Sequence, residues 1–406
     1  MRRLLFLTER FPPDIGGLAS SAGRIAAALC QLGIEVDVVA WSRYLQPGEV
    51  RSSDVARGGA TGHAESQDFQ TIKHLKVYRV GLYRHWDMTM PHTLNVLDWL
   101  HQCRGYDAVW GHYVFPSGFL ATWFAATNGL PSTVSARGND IDRAMFPPGD
   151  FARLQWTLLN AGLITAVSAD MARKIQLLAQ GDDVMVLKNG VNERVFSPPI
   201  IGATHESSLL RASLGIAPDE AVLGFSGELR EKKGQQFLLN ALTTVRAQRP
   251  ACLLIIGEVR ASQEAALQLY ATQHPENAKR VIVTGHLASP AAVAGHLRLC
   301  DVYLQPSVWE GMPNALLEAI ACGCCCIASD AGGIPEIIEH GKSGFLLPRS
   351  QLHRLGEAVL ECLDLEPSAR RQIGMAGRDR ILAEFSLKHE NQRLQTVIDR
   401  LIPISS

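Results

Sequence analysis

The sequence lacks an excess of charge of either sign. Its 406 residues carry 39 lysines and arginines against 40 aspartates and glutamates, for a net charge of −1. A protein that neutralises many phosphates of a nucleic acid usually carries a large basic excess. The charge balance therefore argues against nucleic-acid binding as the main activity.

Long uninterrupted apolar segments are also missing. The N-terminus offers only the four apolar residues 4–7 after its basic start, whereas a secretory signal needs about 7 to 15. Segment 108–136 contains no Asp, Glu, Lys or Arg, but prolines and glycines divide it into pieces shorter than the roughly 20 residues of a membrane span. We expect a cytoplasmic protein, and the sequence leaves open a peripheral contact with the inner membrane face.

The nine cysteines show no zinc-type arrangement. Zinc sites usually combine two closely spaced cysteine pairs, and the cluster at residues 322–326 has no second pair elsewhere in the chain. Alternate side chains of a strand point to opposite faces, so we interpret Cys324, Cys325 and Cys326 as small buried apolar residues. An odd number of cysteines also fits a reducing cytoplasm. We expect no metal and no cofactor.

Short apolar segments alternate with helical patterns along almost the whole chain. This alternation predicts βαβ units and parallel sheets. We expect strands at residues 3–8, 35–41, 108–111, 132–135, 162–167 and 184–187, and a second series at 221–226, 251–257, 280–284, 302–305 and 325–328.

Two interruptions divide the alternation. Residues 46–70 lack periodicity, which favours a surface loop or partly ordered insertion. Residues 197–219 contain prolines and glycines in a weak pattern, which indicates a linker. We predict an N-terminal domain (1–196), a C-terminal domain (220–385) and a final helix (386–406), for which packing against the first domain is one option. Open α/β sheets bind ligands at the carboxyl ends of their strands, so a cleft between the domains is the expected site.

The strongest motif lies in segment 305–319. Gly311 allows a tight turn, and Pro313 suits the first turn of a helix. The N-terminus of such a helix attracts a phosphate or a developing anion. Glu310 precedes this helix and Glu318 lies inside it, eight residues later. Each carboxylate can accept hydrogen bonds from paired hydroxyls, so the two could bind two sugars of one ligand.

This spacing resembles the Glu-x7-Glu signature of the retaining GT-B glycosyltransferases, family 4 in particular. The glycine-rich stretch 331–338, the turn 188–192 and the loop 11–17 are similar to the same family. The resemblance extends from residue 11 to about residue 385 and is most specific in segment 221–348. It implies an α/β protein of two Rossmann-like, doubly wound parallel-sheet domains that face a cleft.

The resemblance also implies a set of donor-binding residues in the C-terminal domain. Glu310 would contact the hydroxyls of the transferred sugar, and Glu318 would bind the ribose of the nucleotide. Further substrate-binding residues are expected at Gly227, Gly257, His286, Leu287, Gly311, Met312, Pro313, Asn314, Ala315 and Leu316.

The turn 227–234 occupies the place of the family's diphosphate clamp. Lys233 matches the lysine of that clamp. Relatives usually have an arginine directly after the first glycine, but this chain has Glu228 there, and Arg230 follows two residues later. We expect Arg230 to supply the second cation, because a departing nucleoside diphosphate develops negative charge that must be stabilised.

In the N-terminal domain, His112 and Arg137 are catalytic candidates at predicted strand ends. A histidine satisfied by its neighbours explains His112 equally well. Arg137 stands where many relatives have a histidine that reaches the donor sugar, and a guanidinium can also bind sugar or phosphate oxygens. Further substrate-binding residues are expected at Gly16, Gly17, Asn139, Asp140 and Asn189. The apolar segment 85–102 favours a buried helix over an acceptor groove or lipid contact.

The resemblance predicts a retaining hexosyltransferase of polysaccharide or glycoconjugate biosynthesis. It would move a sugar from a nucleotide-sugar donor to a hydroxyl of a polysaccharide, lipid-linked or small-molecule acceptor. The sequence has no Asp-x-Asp metal motif near the expected diphosphate site, which favours a metal-independent reaction. Two alternatives are a nucleotide-sugar epimerase, disfavoured by the Glu-x7-Glu motif, and a non-catalytic sugar-nucleotide-binding protein, kept open by Glu228 and Arg137. No Gly-x-Gly-x-x-Gly fingerprint follows a strand, which argues against a dinucleotide-dependent dehydrogenase. The base, the sugar and the oligomeric state cannot be predicted from the sequence.

Overall fold

The computed structural model describes residues 2–53, 72–138, 140–179, 181, 183–199 and 204–403. The chain divides into two compact units. The first comprises Met1–Asn189 together with Glu390–Ser406, and the second comprises Gly190–His389. The backbone therefore passes from one unit to the other twice, the first time ahead of the boundary predicted at residue 196.

The described part of the first unit forms an eight-stranded sheet in the order β3-β4-β2-β1-β5-β6-β7-β8. All neighbours are parallel except β3, which pairs antiparallel with β4 at one edge. The chain order reverses between β1 and β5, where Thr8 lies opposite His112. The strands are β1 (Arg3–Thr8), β2 (Glu35–Ser42), β3 (Val50–Ser53), β4 (Leu75–Gly81), β5 (Ala108–His112), β6 (Ser132–Ala136), β7 (Leu163–Ala166) and β8 (Val184–Val186).

Helices cover both faces of this sheet. Alternate residues of β1 enter different cores: Leu4 and Phe6 pack on one face, and Leu5 and Leu7 on the other. Such two-sided burial explains why the strands are apolar throughout, as is typical of parallel sheets. The helices are α1 (Gly17–Gln31), α2 (Trp86–Arg104), α3 (Phe119–Asn128), α4 (Asp140–Ala144), α5 (Pro148–Asn160) and α6 (Ala169–Ala179).

The described part of the second unit forms a six-stranded, all-parallel sheet in the order β11-β10-β9-β12-β13-β14. Its strands are β9 (Ala221–Ser226), β10 (Ala251–Ile256), β11 (Val281–Val283), β12 (Val302–Gln305), β13 (Cys326–Ser329) and β14 (Phe345–Leu347). Its helices are α7 (Thr204–Ser213), α8 (Gln235–Arg246), α9 (Ala261–Gln273), α10 (Pro275–Ala278), α11 (Pro290–Leu297), α12 (Asn314–Ala321), α13 (Ile334–Ile337), α14 (Leu355–Asp364) and α15 (Pro367–Glu384). The chain order reverses between β9 and β12.

The last helix, α16 (Leu387–Leu401), belongs to the first unit for most of its length. Leu394, Val397, Ile398 and Leu401 recur at helical spacing and enter the same core as Leu4 of the first strand. The helix therefore completes one apolar face of the first sheet.

Regular structure lies in two segments that were predicted as a linker and a loop, and strand β4 was not among the predicted strands. The predicted linker 197–219 contains α7. This helix has only one pair of adjacent leucines and therefore no apolar stripe at helical spacing. Arg211 anchors the helix instead, by donating hydrogen bonds to the carbonyls of Ala217 and Glu220. The predicted loop 46–70 contains β3, whose residues are largely exposed at the sheet edge. Residues 54–71 and Asn139 lie outside the described residues. No helix within the described ranges is long and apolar enough to cross a membrane.

Candidate functional site

In the second unit, the loops that follow β9, β12 and β13 meet at the carboxyl ends of these strands. The amide of Val308 donates to the carbonyl of Lys232 at 2.8 Å, which connects the first two loops. Ser329 Oγ donates to the carbonyl of Ser307 at 2.6 Å, and the amide of Gly333 donates to the carbonyl of Gly311 at 2.7 Å. The three loops therefore form one connected surface at the point where the strand order reverses, which is where ligands of open α/β sheets bind.

Two glycines make these close approaches sterically possible. Gly234 has a φ of +81°, and a Cβ atom there would lie 2.1 Å from the carbonyl oxygen of Pro306. Gly332 has a φ of +52°, and its Cβ would lie 2.0 Å from the carbonyl oxygen of Glu310. Any other residue would therefore push the loops apart, since both the backbone conformation and the space require glycine.

Glu310 is buried and held from two sides. Its Oε1 atom accepts hydrogen bonds from Lys233 Nζ and, at 3.0 Å, from Ser307 Oγ. Ser307 in turn accepts a hydrogen bond from Gln305 Nε2 at 2.8 Å, and Gln305 Oε1 accepts one from Tyr303 OH at 2.9 Å. Glu310 and Lys233 were predicted from the sequence, but Ser307, Gln305 and Tyr303 were not, because their only signal is that they alternate along β12 and its continuation.

Opposing effects act on the pKa of Glu310. Burial alone would raise it, but the positive charges of Lys233 and Lys232 and the hydrogen bonds from Lys233 and Ser307 outweigh burial, and the pKa lies below its ordinary value. The carboxylate is therefore ionised at neutral pH. An ionised carboxylate is a hydrogen-bond acceptor only, so Glu310 is suited to bind hydroxyl groups.

The side chain of Arg230, the candidate for the diphosphate clamp, forms an ion pair. Its guanidinium is paired with Glu228, the residue that occupies the usual arginine position. Glu228 also accepts a hydrogen bond from Arg260 Nε at 3.1 Å. Arg260 was not predicted from the sequence, because it follows a different strand and belongs to no local motif.

The expected helix begins at Asn314, directly after Pro313. The Oδ1 atom of Asn314 is buried and has no hydrogen-bond partner among the described residues. Glu318 lies one turn into the helix and is partly exposed. Gly311, Met312, Pro313 and Leu316 are buried, and Ala315 is partly exposed.

Gly227 and Gly257 lie side by side at the ends of β9 and β10. The amide of Gly227 donates to the carbonyl of Ile256 at 2.9 Å, and a Cβ at Gly257 would lie 2.4 Å from the carbonyl oxygen of Gly227. His286 and Leu287 follow the adjacent strand β11, the former exposed and the latter partly exposed. The structure thus places these four predicted residues after three neighbouring strands.

In the first unit, Arg137 is the centre of a buried polar network. Its guanidinium donates to the carbonyl of Leu187 at 3.1 Å and to Asn189 Oδ1. Asn189 Oδ1 also accepts a hydrogen bond from Arg24 at 3.3 Å, and Arg24 forms a two-bond pair with Glu390 of α16 at 2.6 and 3.1 Å. Arg24 and Glu390 were not predicted from the sequence, since they lie 366 positions apart.

The environment shifts the pKa of both catalytic candidates in this unit downwards. Burial, the first cause, and the nearby charge of Arg24 lower the pKa of Arg137 to about 10, against the opposing effects of Glu390 and Asp140. Burial and the charges of Arg137 and Arg24 hold the pKa of His112 well below its ordinary value. Arg137 is therefore charged at neutral pH, and His112 is neutral.

His112 has no exposed surface, and its Nε2 atom is hydrogen-bonded to Ser21 Oγ at 2.9 Å. Asp140 is also buried: its carboxylate accepts hydrogen bonds from the amides of Gly138, Val114 and Arg137. The other ring nitrogen of His112, Nδ1, is buried without a hydrogen-bond partner among the described residues, so the alternative of a satisfied strand-end histidine holds for one nitrogen only. The contacts of Asp140 give it a role in shaping the loop after β6. The neighbouring Asp142 pairs with Lys174 at 3.0 Å.

The loop between β1 and α1 contains Gly16, and Gly17 begins the helix. Gly16 has a φ of +125° with open space where a Cβ would be. Arg79 of β4 fixes the preceding part of the loop by donating to Asp14 at 3.3 Å and to the carbonyl of Phe11 at 3.0 Å. Among the described residues, no group of three or more His, Cys, Asp and Glu side chains could hold a metal ion.

Helix α2 is half-buried rather than fully buried. Thr89, Thr93, Val96, Leu97 and Leu100 face the protein interior. Trp86, Met88 and Trp99 are exposed. The expectation of a buried helix in segment 85–102 therefore holds for one face only.

Two doubly wound parallel-sheet units, one with a carboxylate–lysine pair in front of a helix N-terminus, define the class of GT-B glycosyltransferases. Comparison with known proteins specifies the family. The profile of glycosyl transferases group 1 matches residues 220–364, and that of the glycosyl transferase 4-like domain matches residues 16–190. The chain belongs to this family of group 1, family 4-type glycosyltransferases, which confirms the resemblance and the predicted fold class.

Similar proteins span almost the whole chain. A GDP-mannose-dependent monoacylated alpha-(1-6)-phosphatidylinositol monomannoside mannosyltransferase of Corynebacterium glutamicum is 25% identical over 98% of both chains. A D-inositol 3-phosphate glycosyltransferase of Jonesia denitrificans is 27% identical over 95% of this chain and 92% of its own.

Solved structures show the same fold. The sucrose-phosphate synthase of Thermosynechococcus elongatus matches with a TM-score of 0.78 at 18% identity and covers 100% of both chains. The Anabaena protein HepE in complex with UDP-glucose matches with a TM-score of 0.77 at 18% identity, covering 99% of this chain and 100% of its own.

Proposed function

We propose that this glycosyltransferase is a retaining enzyme that moves a sugar from a nucleoside-diphosphate sugar to a hydroxyl of an acceptor. The observation that carries the proposal is the buried pair of Glu310 and Lys233 in front of α12. It combines an ionised acceptor for sugar hydroxyls with a cation for the diphosphate. The name of the Corynebacterium relative specifies GDP-mannose as its donor, which supports the same donor class here.

Each residue of the pair has a distinct task in this proposal. Glu310 binds hydroxyls of the transferred sugar, and Ser307 fixes the orientation of its carboxylate. Lys233 stabilises the charge that develops on the leaving diphosphate. Such electrostatic stabilisation is usually the largest single contribution to lowering the barrier. Asn314 and the N-terminus of α12 face the same anion, and Glu318 binds the ribose.

Retention is proposed through attack on the face from which the diphosphate departs. The bond between the anomeric carbon and the diphosphate oxygen breaks, and a bond from that carbon to the acceptor oxygen forms. The proton of the acceptor hydroxyl moves to the departing diphosphate. No side chain has to act as nucleophile in this scheme, in contrast to retaining glycosidases with their two carboxylates.

We assign the first unit a role in binding sugar hydroxyls and the acceptor. Arg137 supplies a charged donor set, and Arg24, Asn189 and Glu390 hold it in place. His112 is neutral and enclosed, so its proposed role is to support the loop at the end of β5 or to contact substrate after a local rearrangement. Gly16, Gly17 and Asn139 remain proposed substrate contacts.

Relatives guide the proposed acceptor class. The names of two relatives include a phosphatidylinositol mannoside and an inositol 3-phosphate, both rich in hydroxyls. We propose a sugar, polyol or lipid-linked glycoside as acceptor and a reaction in the cytoplasm, with peripheral contact to the inner membrane face if the acceptor carries a lipid.

A metal-independent reaction is proposed because lysine and arginine side chains occupy the loop assigned to the diphosphate. Excess chelator should leave turnover unchanged. A strict requirement for an added divalent cation would contradict this part of the proposal.

A panel of UDP-, GDP-, ADP- and dTDP-sugars in a thermal-shift assay tests the donor class. A ligand that binds only the folded state raises the melting temperature, so one base should stand out. A product assay with that donor and a set of hydroxyl acceptors then tests transfer. Binding of none of these donors would contradict the proposed function.

Lys233→Ala tests the role of the central cation. We expect turnover to fall by about 10²–10³, the loss seen when one transition-state contact is removed. Lys342→Ala is the matched control, because Lys342 pairs with Glu339 on the exposed surface of the same unit. Near-normal turnover of Lys233→Ala would show that Lys233 does not stabilise the leaving group.

A further inference from the structure

The loops that follow β9 and β10 are joined along their backbones beyond the ends of the strands. The amide of Leu229 donates to the carbonyl of Glu258 at 2.8 Å, and the amide of Arg260 approaches the carbonyl of Leu229 at 3.4 Å. Leu229 and Val259 form an isolated parallel bridge. These contacts extend the pairing of β9 with β10 and bring Arg260 next to Glu228.

One carboxylate consequently holds two guanidinium groups. Glu228 Oε2 accepts from Arg230, and Glu228 Oε1 accepts from Arg260 Nε at 3.1 Å. The described residues offer neither arginine side chain another hydrogen-bond partner. Without Glu228, the two positive charges would repel each other, so the carboxylate is what allows both to lie on the same side of the loops.

The cluster is accessible to a ligand. The side chains of Glu228, Arg230 and Arg260 are 31%, 34% and 46% exposed. A guanidinium has five N–H groups in a planar fork, and a single carboxylate oxygen uses only part of them. Each arginine can therefore keep its bond to Glu228 and still donate to phosphate oxygens, for which guanidinium groups are well suited.

We propose that Arg260 is a further diphosphate-binding residue and that Glu228 is a positioning residue that holds Arg230 and Arg260 in front of the donor. The inference rests on the proposed function and deepens it. The arginine that relatives have after Gly227 is not needed in this chain, because Arg230 and Arg260, both held by Glu228, contact the diphosphate in its place. Glu228 thus acts through its neighbours and does not bind the anion itself.

The first test compares binding of UDP, GDP and ADP with binding of the corresponding monophosphates and nucleosides. Isothermal titration calorimetry on the full chain identifies the diphosphate that binds wild type. Arg260→Ala should weaken its affinity by about tenfold or more, as expected for loss of a hydrogen bond to a charged group, and leave affinity for the nucleoside unchanged.

Arg249→Ala is the matched control for this test. Arg249 pairs with Asp364 in the same unit and is 34% exposed, like Arg230, but it lies outside the proposed site. Its affinity for the diphosphate should equal that of wild type. Equal diphosphate affinities of wild type and Arg260→Ala would overturn the inference.

The variant Glu228→Arg distinguishes a positioning role of Glu228 from a simple requirement for a positive charge at this position. If the loop merely needs a cation at this position, Glu228→Arg restores the family's residue and tightens diphosphate binding, which would overturn the inference. If Glu228 positions the two arginines, a third guanidinium repels them and binding weakens. Melting temperatures of the variants without ligand verify that they fold.

A mutant cycle completes the test of Glu228. Glu228→Gln should weaken diphosphate binding in the wild-type chain. In the Arg230→Ala, Arg260→Ala double variant, Glu228→Gln should cause no further loss, because nothing remains to be positioned. An equal loss in both backgrounds would contradict a positioning role. Failure of wild type to bind any of the three diphosphates would contradict the proposed function itself, whereas binding by wild type with unchanged Arg260→Ala overturns only this inference.

Discussion

Glu310 depends on three segments of the chain for its position. Lys233 approaches it from the loop after β9, Ser307 from the end of β12, and the carbonyl of Glu310 itself lies against Gly332 after β13. A substitution in any of these segments can therefore displace the carboxylate. This dependence allows its proposed role to be tested without altering its chemistry.

The lowered pKa of Glu310 predicts an acid-sensitive contribution to stability. A carboxylate whose folded-state pKa is depressed stabilises the protein above the pKa of the unfolded chain, about 4.3, and this contribution is lost as pH falls through the folded-state pKa. At pH 7, Glu310→Gln should lower the free energy of unfolding by about 1–3 kcal/mol, the cost of an unsatisfied buried group. The difference from wild type should shrink in urea titrations as pH falls below this unfolded-state pKa. A difference independent of pH would contradict the pKa assignment.

Gly332→Ala should reduce stability and donor binding more than Gly341→Ala, although both glycines have a left-handed backbone conformation. Gly332 and Gly341 both have positive φ values, +52° and +78°, but only at Gly332 would a Cβ meet a backbone atom. Both substitutions should cost about 1–2 kcal/mol for the left-handed conformation, and Gly332→Ala about 1–3 kcal/mol more for the clash. Urea unfolding measures the costs and calorimetry the loss of donor binding. Equal effects of the two variants would refute the steric argument.

Residues with a local motif could be predicted from the sequence, and residues without one could not. Glu310 and Lys233 stand at fixed positions beside glycines, and the structure brings them together. Arg260 and Glu390 have no such local mark, because their partners come from other strands or from the far end of the chain. Long-range ion pairs depend on topology, which a local pattern does not contain.

Among the elements, strands and amphipathic helices were the most predictable. β1 and β9 have the bounds that their patterns indicate, since each buries a continuous apolar run. Helix α16 fills most of the predicted final helix 386–406 and buries an apolar stripe. Helix α7 was missed because polar anchoring rather than an apolar stripe holds it in place.

Helix α16 provides an ion pair that should be costly to break. Glu390 has a fully buried side chain and is bonded twice to Arg24. Glu390→Ala should lower the free energy of unfolding by about 3–5 kcal/mol, because it leaves the Arg24 charge without its partner. It should also weaken substrate binding through Arg137, which shares Asn189 with Arg24.

Arg400→Ala is the control on the same helix. Arg400 pairs with Asp183 of the first unit, but both side chains are largely exposed, and exposed pairs contribute little. Chemical unfolding and substrate titration of the two variants measure the contrast. A loss of stability in Arg400→Ala as large as that in Glu390→Ala would contradict the argument from burial.

At the scale of the whole molecule, the two units carry very different fluorescence reporters. Six of the seven tryptophans lie in the first unit, and Trp309 is the single tryptophan of the second. Trp309 directly precedes Glu310 and is 44% exposed. Tryptophan emission therefore reports mainly on the first unit.

In Trp309→Phe, emission should report on the first unit alone. Binding of a nucleoside diphosphate to the second unit should then raise the melting temperature seen by circular dichroism more than that seen by fluorescence, because a ligand stabilises the structure to which it binds. Both signals should be recorded on the same sample with and without ligand. A larger shift in the fluorescence signal than in the circular-dichroism signal would contradict assignment of the diphosphate site to the second unit.

Helix α16 also imposes an order on biosynthesis. The first 189 residues are synthesised before the second unit. The core of the first unit also includes Leu394, Val397 and Ile398, however, and these residues are synthesised only after the entire second unit. During translation the second unit can therefore fold first. Until α16 has been synthesised, one apolar face of the sheet in the first unit stays exposed. The segment made first is thus completed last, and chaperone demand during synthesis should fall on the N-terminal half.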